Sequence, residues 1–238
     1  MNILCVGNSF SQDATRYLHD IAKNAHVEMD VANLYIGGCS LEMHYQNSLC
    51  DEPAYLWEEN GQSSGSYISL KDALLKKAWD FVSIQQASHF SFDYRSYQPY
   101  ATNLTRYIAT HCPNAKIVIH QTWAYEKGSQ RLLDVAKFST PESMMSAIKQ
   151  AYQQLSTDIH AHQVIPSGEM FAYLLANGID KVHRDTFHAS YGIGRYALGL
   201  LWFHMLTGLA VKENTFSDFD EPIAEDAIRL IKCYIDTL

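Results

Sequence analysis

Positive charge is in short supply in this sequence: Lys+Arg 18 against Asp+Glu 26 leaves a net charge of −8. The charges are scattered, so no basic face exists for nucleic acid or an anionic membrane, and neither is expected as a partner. Cysteine is also sparse. Cys5, Cys39, Cys50, Cys112 and Cys233 are odd in number, widely spaced and without a C-x-x-C pair, which argues against a disulfide framework or a structural zinc site. No apolar run is long enough to cross a bilayer, and Met1 leads straight into the first strand without a charged n-region; a cytoplasmic protein is expected. No G-x-G-x-x-G or G-x-x-x-x-G-K-[ST] follows the first strand, which disfavours a dinucleotide or nucleoside triphosphate. No H-x-x-x-H or H-E-x-x-H occurs, so His89, His120, His183 and Glu169, all near strand ends, do not read as a metal site. No cofactor is expected.

What the sequence does have is size and apolar content. It has 238 residues, 47% of them hydrophobic, enough for one large α/β domain with a substantial core. The chain starts with an apolar strand, Asn2 to Val6, broken by Gly7-Asn8-Ser9-Phe10-Ser11. A helical pattern over Asp13 to Asn24 follows, with Ala14, Tyr17, Leu18, Ile21 and Ala22 on one face. A strand, a tight Gly-x-Ser turn and a helix N-terminus make a good seat for a nucleophile, because the helix offers free N–H groups and a positive dipole to an anion. Ser9 occupies that turn. The same stretch also reads as ordinary loop chemistry, with a serine that merely caps a helix, or as a phosphate cradle of flavodoxin type.

Further along, Val27 to Tyr35 predict a second strand ending at Ile36-Gly37-Gly38-Cys39-Ser40, with Ser40 as the N-cap of a helix over 41–47. Residues 50–71 predict a hairpin insertion around Asn60-Gly61-Gln62-Ser63-Ser64-Gly65, too short for a core of its own. Trp79 to Ile84 read as a central buried strand ending in Gln85-Gln86-Ala87-Ser88-His89. Lys116 to His120 form the next strand, ending in Gln121-Thr122-Trp123, and Trp123 is placed either to wall a pocket or to pack the core. A helix starts at Ser139-Thr140-Pro141-Glu142, and Gln163 to Pro166 make the last strand. Ala189 to Thr207 and Glu221 to Leu238 predict the closing helices. The repetition of strand, turn and helix predicts five βα units in one three-layer α/β/α domain spanning 1–238. Its ligands would collect at the carboxyl ends of the parallel strands.

In the loop of 177–188, Asp185-Thr186-Phe187-His188 has a spacing that lets an Asp carboxylate meet the Nδ1–H of a histidine three residues on, leaving Nε2 for a serine. The same D-x-x-H also reads as an N-cap for the helix that follows. In order and spacing, Gly7-Asn8-Ser9, Gly37-Gly38, the amides Gln85-Gln86 and Asp185-x-x-His188 together resemble the four blocks of the SGNH (GDSL-like) hydrolase superfamily. The text around Gln85 and Trp123 is similar to a mostly bacterial branch of unassigned function. The resemblance runs from residue 3 to about 205.

It implies a five-stranded parallel, flavodoxin-like sheet and a serine esterase. Ser9 would be the nucleophile, His188 the base and Asp185 its orienting partner. The oxyanion hole would combine the N–H groups of Ser9 and Gly38 (or Gly37) with a side-chain amide. The family's third block usually reads Gly-x-Asn-Asp, with the asparagine as donor; here Gln85 or Gln86 would substitute, with Gln85 favoured by the strand alternation. Gly37 and Trp123 would contact substrate. The substrate expected from the resemblance is a small acyl ester, acetyl above all, on a carbohydrate. A ligand-binding module with weak or no turnover is the alternative, supported by the altered third block.

Overall fold

The computed structural model describes residues 1–238. A seven-stranded sheet runs through its centre in the order β4-β3-β2-β1-β5-β6-β7. The strands are β1 (Asn2–Gly7), β2 (Asp30–Tyr35), β3 (Tyr55–Glu59), β4 (Gln62–Ile68), β5 (Phe81–Ile84), β6 (Lys116–His120) and β7 (Gln163–Ile165). Five of them (β2, β1, β5, β6 and β7) are parallel. The expected five-stranded sheet is therefore present but not alone, since the 50–71 segment adds β3 and β4 antiparallel at its edge.

The hairpin turn is tighter than expected. Asn60 and Gly61, at φ 52° and 77°, make the two-residue left-handed turn that matches the twist of its strands. A β-carbon on Gly61 would lie 2.3 Å from the Arg16 carbonyl oxygen, so the turn also docks on the domain.

Alternation along the parallel strands builds the layers. Ile3 and Cys5 of β1, with Val31, Phe81, Val118 and Ile165, face a core shared with α1 (Ser9–Thr15), α2 (Leu18–Asn24), α7 (Ser167–Ala176), α8 (Ile193–Thr207) and α9 (Glu225–Ile235). Leu4 and Val6, with Ala32, Leu34, Val82, Ile84 and Ile119, face the opposite core with α3 (Leu41–Cys50), α4 (Leu70–Lys76), α5 (Tyr100–His111) and α6 (Pro141–Asp158). A strand buried on both faces needs near-continuous apolar text, which the parallel strands carry apart from polar positions such as the buried Asn33 of β2 and Ser83 of β5. No helix is long and apolar enough to cross a membrane. All five cysteines are free thiols, and burial pushes those of Cys5 and Cys39 up to about 12.

Several boundaries move. The helix expected over 13–24 divides at Arg16-Tyr17 into α1 and α2, and α1 begins earlier, at Ser9. The helix expected from Ala189 begins only at Ile193, capped by Gly192, because residues 182–190 are held in a looped-back conformation. His183 pairs with Ala189, the Arg184 N–H donates to the His188 carbonyl at 3.0 Å, and Ser190 N–H donates to the Val182 carbonyl at 2.8 Å.

Candidate active site

The carboxyl ends of β1, β2 and β5 and the 182–190 loop meet over a cavity of about 300 Å3 lined by Ser9, Gly37, Gly38, His89, Arg131 and His188, among others. A larger cavity, about 610 Å3, lies beside α6 and α7 and includes neither Ser9 nor His188.

At the end of β1 the chain turns so sharply that a β-carbon on Gly7 would fall 2.2 Å from Ser11 Oγ; only glycine fits. Asn8, not Ser9, caps α1, its Oδ1 accepting from Phe10 N–H at 3.0 Å. That leaves the Ser9 hydroxyl uncommitted to the helix. It lies 2.9 Å from His188 Nε2, and His188 Nδ1 lies 2.8 Å from Asp185 Oδ2. An ionised carboxylate can only accept, so Asp185 fixes the ring proton on Nδ1 and turns the Nε2 lone pair to the serine.

Asp185 is positioned by its own turn. Its Oδ1 accepts the His188 backbone N–H at 2.9 Å and that of Phe187 at 3.5 Å, and Thr186 between them sits at φ 77°. A β-branched residue with positive φ is strained and holds only where its surroundings impose it. Burial raises the Asp185 pKa, but the hydrogen bonds from His188 and that residue's charge outweigh it and hold the carboxyl below its ordinary value. The imidazole is restrained on its faces as well, with the Phe187 ring 3.8 Å and the Phe10 ring 5.9 Å from its centroid.

Behind this loop stands a buried ion cluster that the sequence did not reveal. Asp13 of α1 is fully buried and accepts from Arg184 Nη1 (2.9 and 2.8 Å) and from Arg195 Nε (2.9 Å). Arg184 adjoins Asp185 in sequence, so the helix carrying Ser9 and the loop carrying His188 are tied by one charge-assisted contact. The one available signal was an acid beside Ala14 in the apolar face of α1.

The expected oxyanion amides are placed differently. Gln85 is 1% exposed and spans three loops: its Nε2 donates to Asn8 Oδ1 at 2.7 Å, and its Oε1 accepts from His120 Nδ1 at 2.7 Å. Asn8 Nδ2 in turn donates to the Cys39 carbonyl at 3.0 Å. Gln86 accepts from the N–H groups of Leu41 and Ala87 and donates to Ser96. Neither amide lines the cavity; Ser88 and His89 are the residues of that loop that do.

Trp123 is also corrected. It is fully buried, stacks on Phe10 with ring centroids 4.1 Å apart, and donates its Nε1–H to the Phe187 carbonyl at 2.7 Å. It supports the 182–190 loop from below and does not line the cavity that holds Ser9. Gly37 and Gly38 do line the cavity. The Gly38 N–H has no backbone acceptor, and Ser9, as the first residue of α1, has no acceptor within its helix for its own. Two backbone N–H groups at the cavity thus lack a backbone acceptor.

Comparison with known proteins gives a family and a fold. A family described as a domain of unknown function, DUF4886, matches residues 2–230. The chain belongs to the DUF4886 family. A crystal structure of a DUF4886 family protein from Bacteroides uniformis is 30% identical, covers 100% of this chain and 93% of its own, and superposes with a TM-score of 0.91. A protein from Slackia heliotrinireducens described as a candidate SGNH hydrolase is 23% identical over 87% of this chain and 98% of its own, with a TM-score of 0.59. The psychrotrophic esterase EstA from Pseudoalteromonas sp., in a structure inhibited by monoethylphosphonate, is 15% identical over 86% and 94%, with a TM-score of 0.52. This DUF4886 chain therefore has the SGNH/GDSL-like hydrolase fold. No curated protein matches it.

Proposed function

We propose that this DUF4886 chain is a serine esterase that removes small acyl groups, acetyl foremost, from carbohydrate esters. The observation that carries the reading is the continuous hydrogen-bonded chain from Ser9 through His188 to Asp185 at the mouth of a cavity. Ser9 Oγ attacks the ester carbonyl while His188 Nε2 takes its proton, and Asp185 stabilises the imidazolium that forms. The tetrahedral oxyanion accepts from the N–H groups of Ser9 and Gly38. Collapse breaks the ester C–O bond, and the alcohol leaves with the proton from His188. Water then attacks the acyl-enzyme with the same imidazole as base, returning the Ser9 hydroxyl and releasing the acid.

A slower, binding-dominated version of the same site is favoured by one observation, the commitment of Gln85 and Gln86 to other partners. An oxyanion hole one donor short is expected to lose about 10²–10³ in kcat. Hydrolysis of 4-nitrophenyl acetate and of acetylated sugars tests the reading. Activity abolished in Ser9→Ala and His188→Ala supports it, and a rate equal to buffer, or one untouched by either substitution, overturns it.

A further inference from the structure

Arg131 lies in a stretch whose pattern suggested nothing, a single π-helical turn over Arg131–Val135. Its guanidinium carbon sits 3.6 Å from the centroid of the Phe187 ring, and that ring lies 3.8 Å from His188. It lines the cavity that contains Ser9. In a chain with an acid excess, Arg16, Arg95, Arg184, Arg195 and Arg229 all pair with carboxylates, while Arg106 is unpaired on the exposed surface. Arg131 makes no ion pair, although it borders the one cavity that holds the triad. Stacking on an aromatic face fixes the plane of a guanidinium and leaves its N–H edge open, the geometry that grips two oxygens at once.

The neighbours fit the same ligand. His89 lines the cavity beside it, and burial, reinforced by the Arg131 charge, holds that imidazole's pKa below its usual value. At neutral pH His89 is therefore a neutral hydrogen-bonding group and adds no second cation. One fixed guanidinium with neutral polar groups suits a carboxylate; a phosphate dianion calls for more positive charge.

We propose that Arg131 is a specificity residue: it binds a carboxylate carried by the ester whose acyl group Ser9 receives. The carboxylate belongs either to the acyl group or to the alcohol. The inference rests on the esterase reading for its turnover, but its binding arm does not.

The test compares paired esters. For the acyl side the pair is 4-nitrophenyl hemisuccinate and 4-nitrophenyl pentanoate; for the alcohol side it is 4-acetoxybenzoate and its methyl ester. In one pair the charged ester is expected to have the higher kcat/KM. Arg131→Met should cut that charged-to-neutral ratio about 10- to 100-fold, the range of a charge-assisted bidentate contact. Arg131→Lys should restore part of it, and added salt should lower it in the wild type.

Calorimetry on Ser9→Ala gives a readout without catalysis: monomethyl succinate or 4-acetoxybenzoate should bind about tenfold more weakly once Arg131→Met is added. A ratio unchanged by Arg131→Met in both pairs, together with unchanged binding, overturns the carboxylate subsite. Absence of all hydrolysis with Arg131-dependent binding intact would instead overturn the esterase reading and keep the subsite.

Discussion

Two sides of the cavity are built on different plans. On the base side, His188 and Asp185 lie on a strained loop held by redundant anchors: Arg184 on buried Asp13, Trp123 on the Phe187 carbonyl and His183 on the Ala124 carbonyl. Arg184 and Phe187 are immediate neighbours of Asp185 and His188, and His183 lies two residues before Asp185, so the loop is held at three points around the Asp185–His188 hydrogen bond. On the amide side, Gln85 and Gln86 turn away from the cavity and join the loops after β1, β2 and β5 into one network. Side chains of the type that could serve an oxyanion there serve the framework. A site's chemistry is therefore set by where each polar group finds its buried partner: Gln85 donates to Asn8 and accepts from His120, and does not line the cavity.

Substitutions can break this comparison, and the largest effect is expected on the base side. Asp185→Asn keeps the shape of the turn but presents an amide to His188 and frees the opposite tautomer; kcat should fall about 10³–10⁴-fold with little loss of stability, checked by steady-state kinetics beside a melting curve. Asp13→Ala leaves the Arg184 guanidinium, 19% exposed, without a carboxylate and Arg195, 12% exposed, with Asp220 alone. It should destabilise the fold by about 3–5 kcal/mol and lower kcat as well, read from urea unfolding; a purely local cluster would leave the rate of the folded fraction alone.

Gln85→Leu sharpens the contrast. As a framework residue it should cost about 1–3 kcal/mol of stability by leaving Asn8 and His120 short of partners. As an oxyanion donor it would cost about 10²–10³ in kcat with stability intact.

Acid titration probes both sides together. His120 beneath the amides is held down at about 3 and His183 beneath the base loop at about 4, each chiefly by burial. His44, on the buried face of α3, is likewise held at about 3. The folded state refuses protons that the unfolded chain accepts near pH 6.5, so stability is full above that pH and falls as pH drops towards 4. Between pH 7 and 6 each should contribute a loss of about 0.7 kcal/mol, measurable as a fall in the urea midpoint.

The fold was legible because its signals are local. Continuous apolar runs such as Ile3 to Val6 and Ile117 to Ile119 announce strands buried on two faces. Asp185-x-x-His188 was legible for the same reason, since three residues of chain can bring those groups together unaided. The pairing with Ser9 crosses 179 positions and came from the order of the blocks; no local pattern carried it. Gln85 and Trp123 were misplaced because strand alternation says which face a residue takes, and says nothing of the partner waiting there. The Asp13–Arg184–Arg195 cluster and Arg131 depend on pairings, or on a lack of pairing, between distant segments, and no periodicity records those.

Covalent labelling of Ser9 by a fluorophosphonate tests the central claim most directly, because it asks for a nucleophile activated by its neighbour and needs no knowledge of the substrate. Intact mass and peptide mapping should find one adduct, on Ser9, absent in Ser9→Ala and formed at least about 10³-fold more slowly in His188→Ala. A wild-type protein left unmodified at Ser9, or labelled there as quickly without His188 as with it, would contradict the account.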